Sequence, residues 1–242
     1  MASWRSLAPH LQGHVLRFDP APLETYPPAS GRRLLLTVAL VEGLLGPRFH
    51  LLGFLGLPPA PASLRVALLL ALVLALLRWF AGVRPAQIGL RAWTAWSLTE
   101  KSYFLQVFVL ANVVFATLFA QPLAALAGNS ALWASGAAVL ATSLLWGFYQ
   151  ELVYRGLLQT ELCRRWGAVV GILVTNTLFT FGPLHFYHFL DRSPAAAAGM
   201  FAGIFAIGLF FAVLFKRSNN LWMVGIFHGV GDAYITGLAG LK

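Results

Sequence analysis

The sequence predicts an all-α fold, a polytopic membrane bundle of about seven to eight transmembrane helices. Hydrophobic residues make up 59% of its 242 residues and charged residues only 10%, with a mean hydropathy of +0.74. Soluble domains carry roughly 25% charged residues, so this chain has too few polar groups to cover a globule in water. Long apolar segments, separated by Pro-rich and polar breaks, supply the predicted helices.

A spanning helix needs about 20 mainly apolar residues, and about seven segments of the chain meet that length. They are residues 34–56, 64–83, 103–125, 130–150 with a continuation to 165, 168–190, 196–215 and 220–240. The first segment is the least regular, because Glu42, Arg48 and His50 interrupt it. We divide the chain into a polar N-terminal arm (1–30), N-terminal membrane helices (31–129) and a core of membrane helices (130–242).

The net charge of +9 reflects arginines that flank the predicted spans, and no nucleic-acid-binding motif is visible in the sequence. Most basic residues fall on one side of a seven-span arrangement, which predicts a cytoplasmic N-terminus. The Ala-, Leu- and Arg-rich composition is typical of a GC-rich bacterial source. We therefore expect a multi-pass protein of the bacterial inner (cytoplasmic) membrane.

Three residue pairs with a spacing of four interrupt the apolar helices of the C-terminal half. They are Glu151 and Arg155 in QELVYR, Phe181 and His185 in FGPLH, and His228 and Asp232 in HGVGD. Residues at this spacing share one face of a helix. A charged side chain at the bilayer centre costs at least about 2.5 kcal/mol, so such residues mark structural pairs or functional sites.

The three pairs can lie at a similar depth in the membrane. If the fourth helix continues to a turn at Gly167, Glu151 and His185 both lie roughly 24–27 Å from that turn. Antiparallel neighbours would then hold both side chains at the same level, and His228 can reach them with tilt. Each pair alone could be a structural ion pair or a hydrogen-bonded strut between helices. Together they favour one shared polar pocket.

Such a pocket allows hydrolysis without a covalent intermediate. A glutamate in a low-dielectric site can act as a general base, and a nearby histidine can orient water or pass on a proton. A second histidine, held by Asp232, can donate to an oxyanion. Glu151, His185, His228 and Asp232 are also zinc-competent, which leaves a metalloenzyme open. The sequence has no HExxH motif, however, and we expect neither a metal nor another cofactor.

With these segments in this order, residues 130–240 resemble the CPBP family of CaaX proteases and bacteriocin-processing enzymes, whose motifs are EExxxR, FxxxH and HxxxN/D. The resemblance implies a glutamic intramembrane endopeptidase, with the myxosortase type, which trims C-terminal sorting anchors, as one branch. It implies that the first motif glutamate and His185 activate water, and that His228 and Asp232 form an oxyanion hole. Arg155 is the motif arginine.

The same resemblance implies a substrate that is a membrane-anchored protein or a C-terminal tail peptide. Phe181 and Tyr154 are our candidates for contacts with that substrate. The other predicted partner is the lipid bilayer, and no nucleic acid is expected.

One motif position departs from the family pattern, because Gln150 stands where the family has its first glutamate. An amide cannot act as a general base. Three explanations compete: the chain uses Glu151, which points about 100° away on the helix; it is an inactive relative that binds tails without cutting them; or it is an engineered Glu→Gln variant that traps substrate. A polar membrane pocket would also suit an immunity factor or a receptor. A transporter is a further alternative, which the sequence favours least.

Overall fold

Helices account for the regular structure of the protein in the computed structural model, which describes residues 23–43, 61–182, 185–190 and 192–237. No strand occurs in these residues, and the predicted all-α class is confirmed. The α-helices, numbered in chain order, are α1 Pro28–Gly43, α2 Ala62–Ala75, α3 Leu98–Leu118, α4 Ala120–Gly128, α5 Trp133–Glu151, α6 Thr160–Trp166, α7 Ala168–Phe181, α8 Pro194–Ser218 and α9 Leu221–Asp232.

Several of these helices are long and apolar enough to cross a membrane. Four such stretches occur in the described residues: Ala62–Phe80, Leu98–Leu118, Ser130–Trp166 and Pro194–Ser218. Helix α7 is apolar but shorter, and α9 continues for one π-helical turn through Ala233–Gly237. The chain is therefore a helical membrane protein, as its composition predicts. Residues 44–56 of the predicted first span lie outside the described residues, as do residues 57–60, most of the N-terminal arm and residues 238–242.

The predicted span 168–190 is wrong at its C-terminal end, because α7 stops at Phe181. Gly182, the next residue, has an extended backbone with φ −68° and ψ 172°. A residue that precedes proline is driven out of the helical region by the proline ring, and proline 183 follows here. His185 consequently lies in a turn after the helix.

One continuous rod, Ser130–Trp166, carries the first motif. Its 37 residues would span roughly 55 Å, which exceeds the roughly 30 Å hydrocarbon core of a bilayer. Between α5 and α6 the rod contains a π-helical segment, Leu152–Gln159, which begins directly after Glu151. Such segments are rare and frequently occur at functional sites. The motif residues therefore lie at a local change of helical geometry.

Glycines let α5 and α9 approach closely. A Cβ added at Gly147 would collide with the backbone of Gly229, whose own Cβ would lie 2.6 Å from the Leu144 Cα. Small residues allow this kind of backbone approach between membrane helices. Gly147 lies one turn before Glu151, and Gly229 follows His228. The close crossing therefore brings the first motif on α5 next to the third motif on α9.

Helix α7 turns back along α6 through Gly167, which has a φ of +80°. A Cβ on Gly171 of α7 would meet the Cys163 backbone 2.5 Å away, so the two helices are in close contact. Helix α8 covers the other side of α7, where the Asn176 side chain donates to the Phe205 carbonyl at 2.9 Å. The rod and α7 therefore form an antiparallel hairpin. The prediction that Glu151 and His185 lie at the same depth requires this arrangement.

The N-terminal segment is fastened to the end of the rod by a buried carboxylate. The Tyr26 hydroxyl donates to Glu161 at 3.1 Å, and Arg164 donates to both oxygens of the same carboxylate at 2.7 and 2.6 Å. Burial, together with the Glu161 charge, raises the pKa of Tyr26, so the phenol remains a donor. Helix α1 follows Tyr26 directly and packs against the π-helical segment.

We expect Gly147→Ala to lower the free energy of unfolding by about 1–3 kcal/mol, because the added methyl group must push α5 and α9 apart. Thermal unfolding in detergent micelles measures the effect. Gly203→Ala on α8 is the matched control, since no atom of the described residues lies within 4 Å of its added Cβ. Equal unfolding temperatures for the two variants would contradict the close crossing of α5 and α9.

Candidate active site

A buried carboxylate joins the first and third motifs. Glu151 is fully buried, and its Oε2 atom lies 3.2 Å from the Arg155 Nε atom. Its Oε1 atom lies 2.7 Å from the His228 Nδ1 atom. Each carboxylate oxygen thus faces its own nitrogen partner. The sequence pairs Glu151–Arg155 and His228–Asp232 are brought into a single cluster.

Arg155 extends this cluster to two further helices. Its Nη2 atom donates to the Gly208 carbonyl of α8 at 2.6 Å, and its guanidinium carbon lies 4.2 Å from the centre of the Phe179 ring on α7. A cation over an aromatic face is attracted by the ring quadrupole, more strongly where water is excluded. Gly208 leaves space here, because a Cβ would lie 2.9 Å from the Phe179 ring.

One ring nitrogen of His228 contacts Glu151, and the other is available to a substrate. Its Nδ1 atom faces Glu151, whereas its Nε2 atom lies 3.7 Å from the Asp232 Oδ2 atom, beyond hydrogen-bond distance. The imidazole stacks on Phe211 of α8 with ring centres 5.1 Å apart. This packing fixes the ring plane. His228 can therefore present Nε2 to a substrate while both acidic side chains remain near it.

His185 enters the site from the turn after α7. Its Nδ1 atom lies 2.8 Å from the Phe179 carbonyl oxygen. Because a carbonyl oxygen only accepts hydrogen bonds, Nδ1 must carry the proton, and the neutral ring has its lone pair on Nε2. The expectation that Phe181 and His185 share a helix face is wrong, since the helix ends between them.

Phe179, which the motif spacing does not select, takes the central position. Its ring contacts the rings of His185, Tyr154 and His228, with ring centres 4.4, 5.2 and 6.0 Å away, and it also contacts the Arg155 guanidinium. Phe181, the predicted substrate contact, is 52% exposed and packs on Phe201 and Phe189 away from this cluster.

A sequence signal for Phe179 exists in the spacing of α7. Thr175, Asn176, Phe179 and Thr180 follow the three- and four-residue helical period and are all buried. This face carries two threonines and an asparagine, so a scan for apolar periodicity passes over it. Phe181 lies two residues further, on the opposite side of the helix.

Gln150 and Tyr154 are both buried in the same region. The Gln150 Oε1 atom has no hydrogen-bond partner within the described part of the chain. Tyr154 is 2% exposed, and its hydroxyl donates at 2.7 Å to Glu42 of α1. Glu42 belongs to this region of the site but to none of the three motifs. Its only signal in the sequence is a charge within the first apolar segment.

A metal site is not evident in the described ranges, where no three His, Cys, Asp or Glu side chains are arranged to hold an ion.

One protein family matches the part of the chain that carries this site. Residues 131–234 match the family described as type II CAAX prenyl endopeptidase Rce1-like. This segment is similar to the Rce1-like family. It runs from the start of the rod to the end of α9, so it includes all three motifs and confirms the predicted CPBP resemblance. No curated protein and no solved structure gives a significant match.

The match over this segment supports a membrane peptidase of the CAAX type. The myxosortase branch, the role of each motif residue and the substrate stay predictions.

We expect Phe179→Leu to lower the free energy of unfolding by about 1–3 kcal/mol, because it removes the ring that Arg155 and both histidines contact. Thermal unfolding in micelles reports this change. Phe181→Leu, a matched change two residues away, should cost less than about 1 kcal/mol because half of that side chain is exposed. A larger loss for Phe181→Leu than for Phe179→Leu would show that the aromatic centre is misassigned.

Proposed function

We propose that this Rce1-like protein is an intramembrane endopeptidase that hydrolyses a peptide bond near the membrane-anchored or C-terminal tail of a substrate protein. The observation that carries the proposal is the buried cluster of Glu151, Arg155 and His228, with His185 on the same Phe179 ring. Such groups are expensive in an apolar bundle, and intramembrane ionisable residues mark functional sites.

In the proposed reaction His185 is the general base. Its Nε2 lone pair takes a proton from a water molecule as the water oxygen attacks the substrate carbonyl carbon. The imidazolium that forms then returns the proton to the leaving nitrogen when the C–N bond breaks. The bond from Nδ1 to the Phe179 carbonyl supports this role, because it fixes both the tautomer and the ring orientation.

His228 stabilises the oxyanion of the tetrahedral intermediate. With Nδ1 held by Glu151, a protonated His228 directs its Nε2–H at the developing negative charge. Arg155 fixes the other oxygen of Glu151, so the carboxylate serves as the anchor of His228. Asp232, whose Oδ2 atom lies 3.7 Å from the same Nε2 atom, is the acidic neighbour on that side of the ring.

Gln150 can hold the attacking water but cannot deprotonate it. Its buried Oε1 atom, which lacks a hydrogen-bond partner in the described structure, is free to accept a bond from water. The glutamic mechanism that the family resemblance implies therefore operates here with histidine as the base.

An apolar cavity between the helices supports the proposed substrate class. This cavity of about 560 Å³ lies between α3, α4, α5 and α9, and its lining includes Val230, two residues before Asp232, and Ala233, the residue after it. We propose that the hydrophobic part of a lipidated or membrane-anchored tail occupies this cavity. The scissile bond would then lie towards His228.

The proposed location is the bacterial inner membrane, with the N-terminus in the cytoplasm. Arg164 and Lys216 line one small cavity, and Arg91 donates to the Ser218 carbonyl at 3.1 Å. These contacts support a common end of the bundle for basic residues that the sequence places after different spans. Basic residues gather on the cytoplasmic side of membrane proteins.

A second candidate function is a non-cleaving relative that binds a tail peptide. Gln150 favours it, because the amide replaces the acid that the family motif contains. Such a protein would keep the cavity and the ion cluster but would not release product.

Cleavage assays in liposomes test the proposal. The purified chain and Gln150→Glu are incubated with a library of farnesylated CaaX peptides and unlipidated hydrophobic C-terminal tails. We expect cleavage of at least one tail, and a loss of about 100-fold or more in kcat with His185→Ala, since a general base contributes at least that much. Gly203→Ala on α8, whose added Cβ would meet no atom of the described residues within 4 Å, is the control and should retain activity.

Failure of both the native chain and Gln150→Glu to cut any tail would overturn the endopeptidase proposal. Capture of an intact tail by the native chain and by His185→Ala, without cleavage, would favour the binding protein instead.

A further inference from the structure

A second buried carboxylate lies beside the proposed site and comes from outside the three motifs. Glu42 of α1 is 6% exposed, and its Oε1 and Oε2 atoms accept hydrogen bonds from the Tyr149 and Tyr154 hydroxyls at 2.9 and 2.7 Å. Tyr149 immediately precedes Gln150, and Tyr154 immediately precedes Arg155. Glu42 thus binds the tyrosine directly before the first motif and the tyrosine within it.

Tyr154 connects this carboxylate to the turn that carries the proposed base. Its ring packs edge-on against Phe179, with ring centres 5.2 Å apart. A Cβ on Gly182 would lie 2.5 Å from the Tyr154 hydroxyl oxygen, so the hydroxyl touches the start of the turn. The Gly182 carbonyl in turn accepts the His185 backbone N–H at 3.0 Å. One chain of contacts therefore runs from Glu42 through Tyr154 and Gly182 to His185.

A structural strut alone does not require a carboxylate at this position. A glutamine side chain could accept hydrogen bonds from a tyrosine without bringing a formal charge into an apolar bundle. A negative charge has a use in the reaction, however. When His185 takes the proton from water, it becomes a cation near Arg155 and His228, and a nearby anion lowers the energy of that state.

We propose that Glu42 supplies the negative charge that Gln150 lacks, and that it acts through Tyr154 as a positioning residue for His185. The inference rests on the proposed hydrolysis. In the motif of the family the acid next to the base belongs to position 150, on α5. In this chain the acid is on α1, and the tyrosine hydroxyls hold it beside the turn. His185 is thereby kept in place and its cationic form is stabilised.

A cycle of four chains tests this assignment: the native chain, Glu42→Gln, Gln150→Glu and the double variant. Each is assayed in liposomes on a tail peptide that Gln150→Glu cuts. We expect Glu42→Gln to lower kcat at least about tenfold in the native chain, with KM changed less than about threefold, because the charge acts on the reaction and not on binding. In the Gln150→Glu chain the same change should lower kcat less than about threefold, since an acid has returned to position 150.

Tyrosine variants keep the test valid if Glu42→Gln does not fold. Tyr154→Phe breaks the link to the turn and should lower kcat as Glu42→Gln does. Tyr149→Phe removes one donor to the same carboxylate but leaves the Tyr154 bond, so it should have the smaller effect.

Three results would overturn the inference. Equal losses from Glu42→Gln in both backgrounds would show a merely structural role. A native chain that is inactive where Gln150→Glu is active would show that Glu42 does not replace the missing acid. The activity of Gln150→Glu would still support an endopeptidase fold and site. If no variant cuts any tail, the proposed function fails as well.

Discussion

The rest of the site depends on the buried Glu151 carboxylate and its two partners. Arg155 and His228 each face one of its oxygens, and Arg155 also bonds the Gly208 carbonyl and lies over Phe179. One ionic cluster thereby joins the rod to α7, α8 and α9. Removing one partner from a buried ion pair typically costs about 3–5 kcal/mol, because the other charge is left uncompensated. This cost constrains the geometry around the histidines.

Backbone features make that cluster possible. The glycines at the crossing of α5 and α9 bring His228 within reach of Glu151, and the π-helical segment begins at the next residue. The replacement of an acid by Gln150 then changes the charge balance near the base. In the proposed reaction His185 takes over proton transfer, and the buried Glu42, which the Tyr154 hydroxyl holds, supplies the negative charge from a neighbouring helix.

Local sequence patterns predicted the apolar helices and the contacts between residues of one helix. The apolar runs predicted the rod, and the four-residue spacing predicted the contact of Glu151 with Arg155. The spacing misplaced Phe181, because the extended residue before proline 183 ends α7 and turns His185 back onto Phe179. Glu42 escaped prediction for a different reason. Its contact with Tyr154 joins residues 112 positions apart, and no pattern within one helix encodes such a pairing.

The most direct test of the Glu151 cluster is a double-mutant cycle between Glu151 and His228, with the free energy of unfolding measured in detergent micelles. Glu151→Gln, His228→Gln and the double variant complete the cycle with the native chain. Side chains that share a buried ionic contact couple by about 0.5–3 kcal/mol, and we predict a coupling of at least about 1 kcal/mol. A coupling that is zero within error would mean that the two side chains do not meet, and the proposed active site would have no foundation.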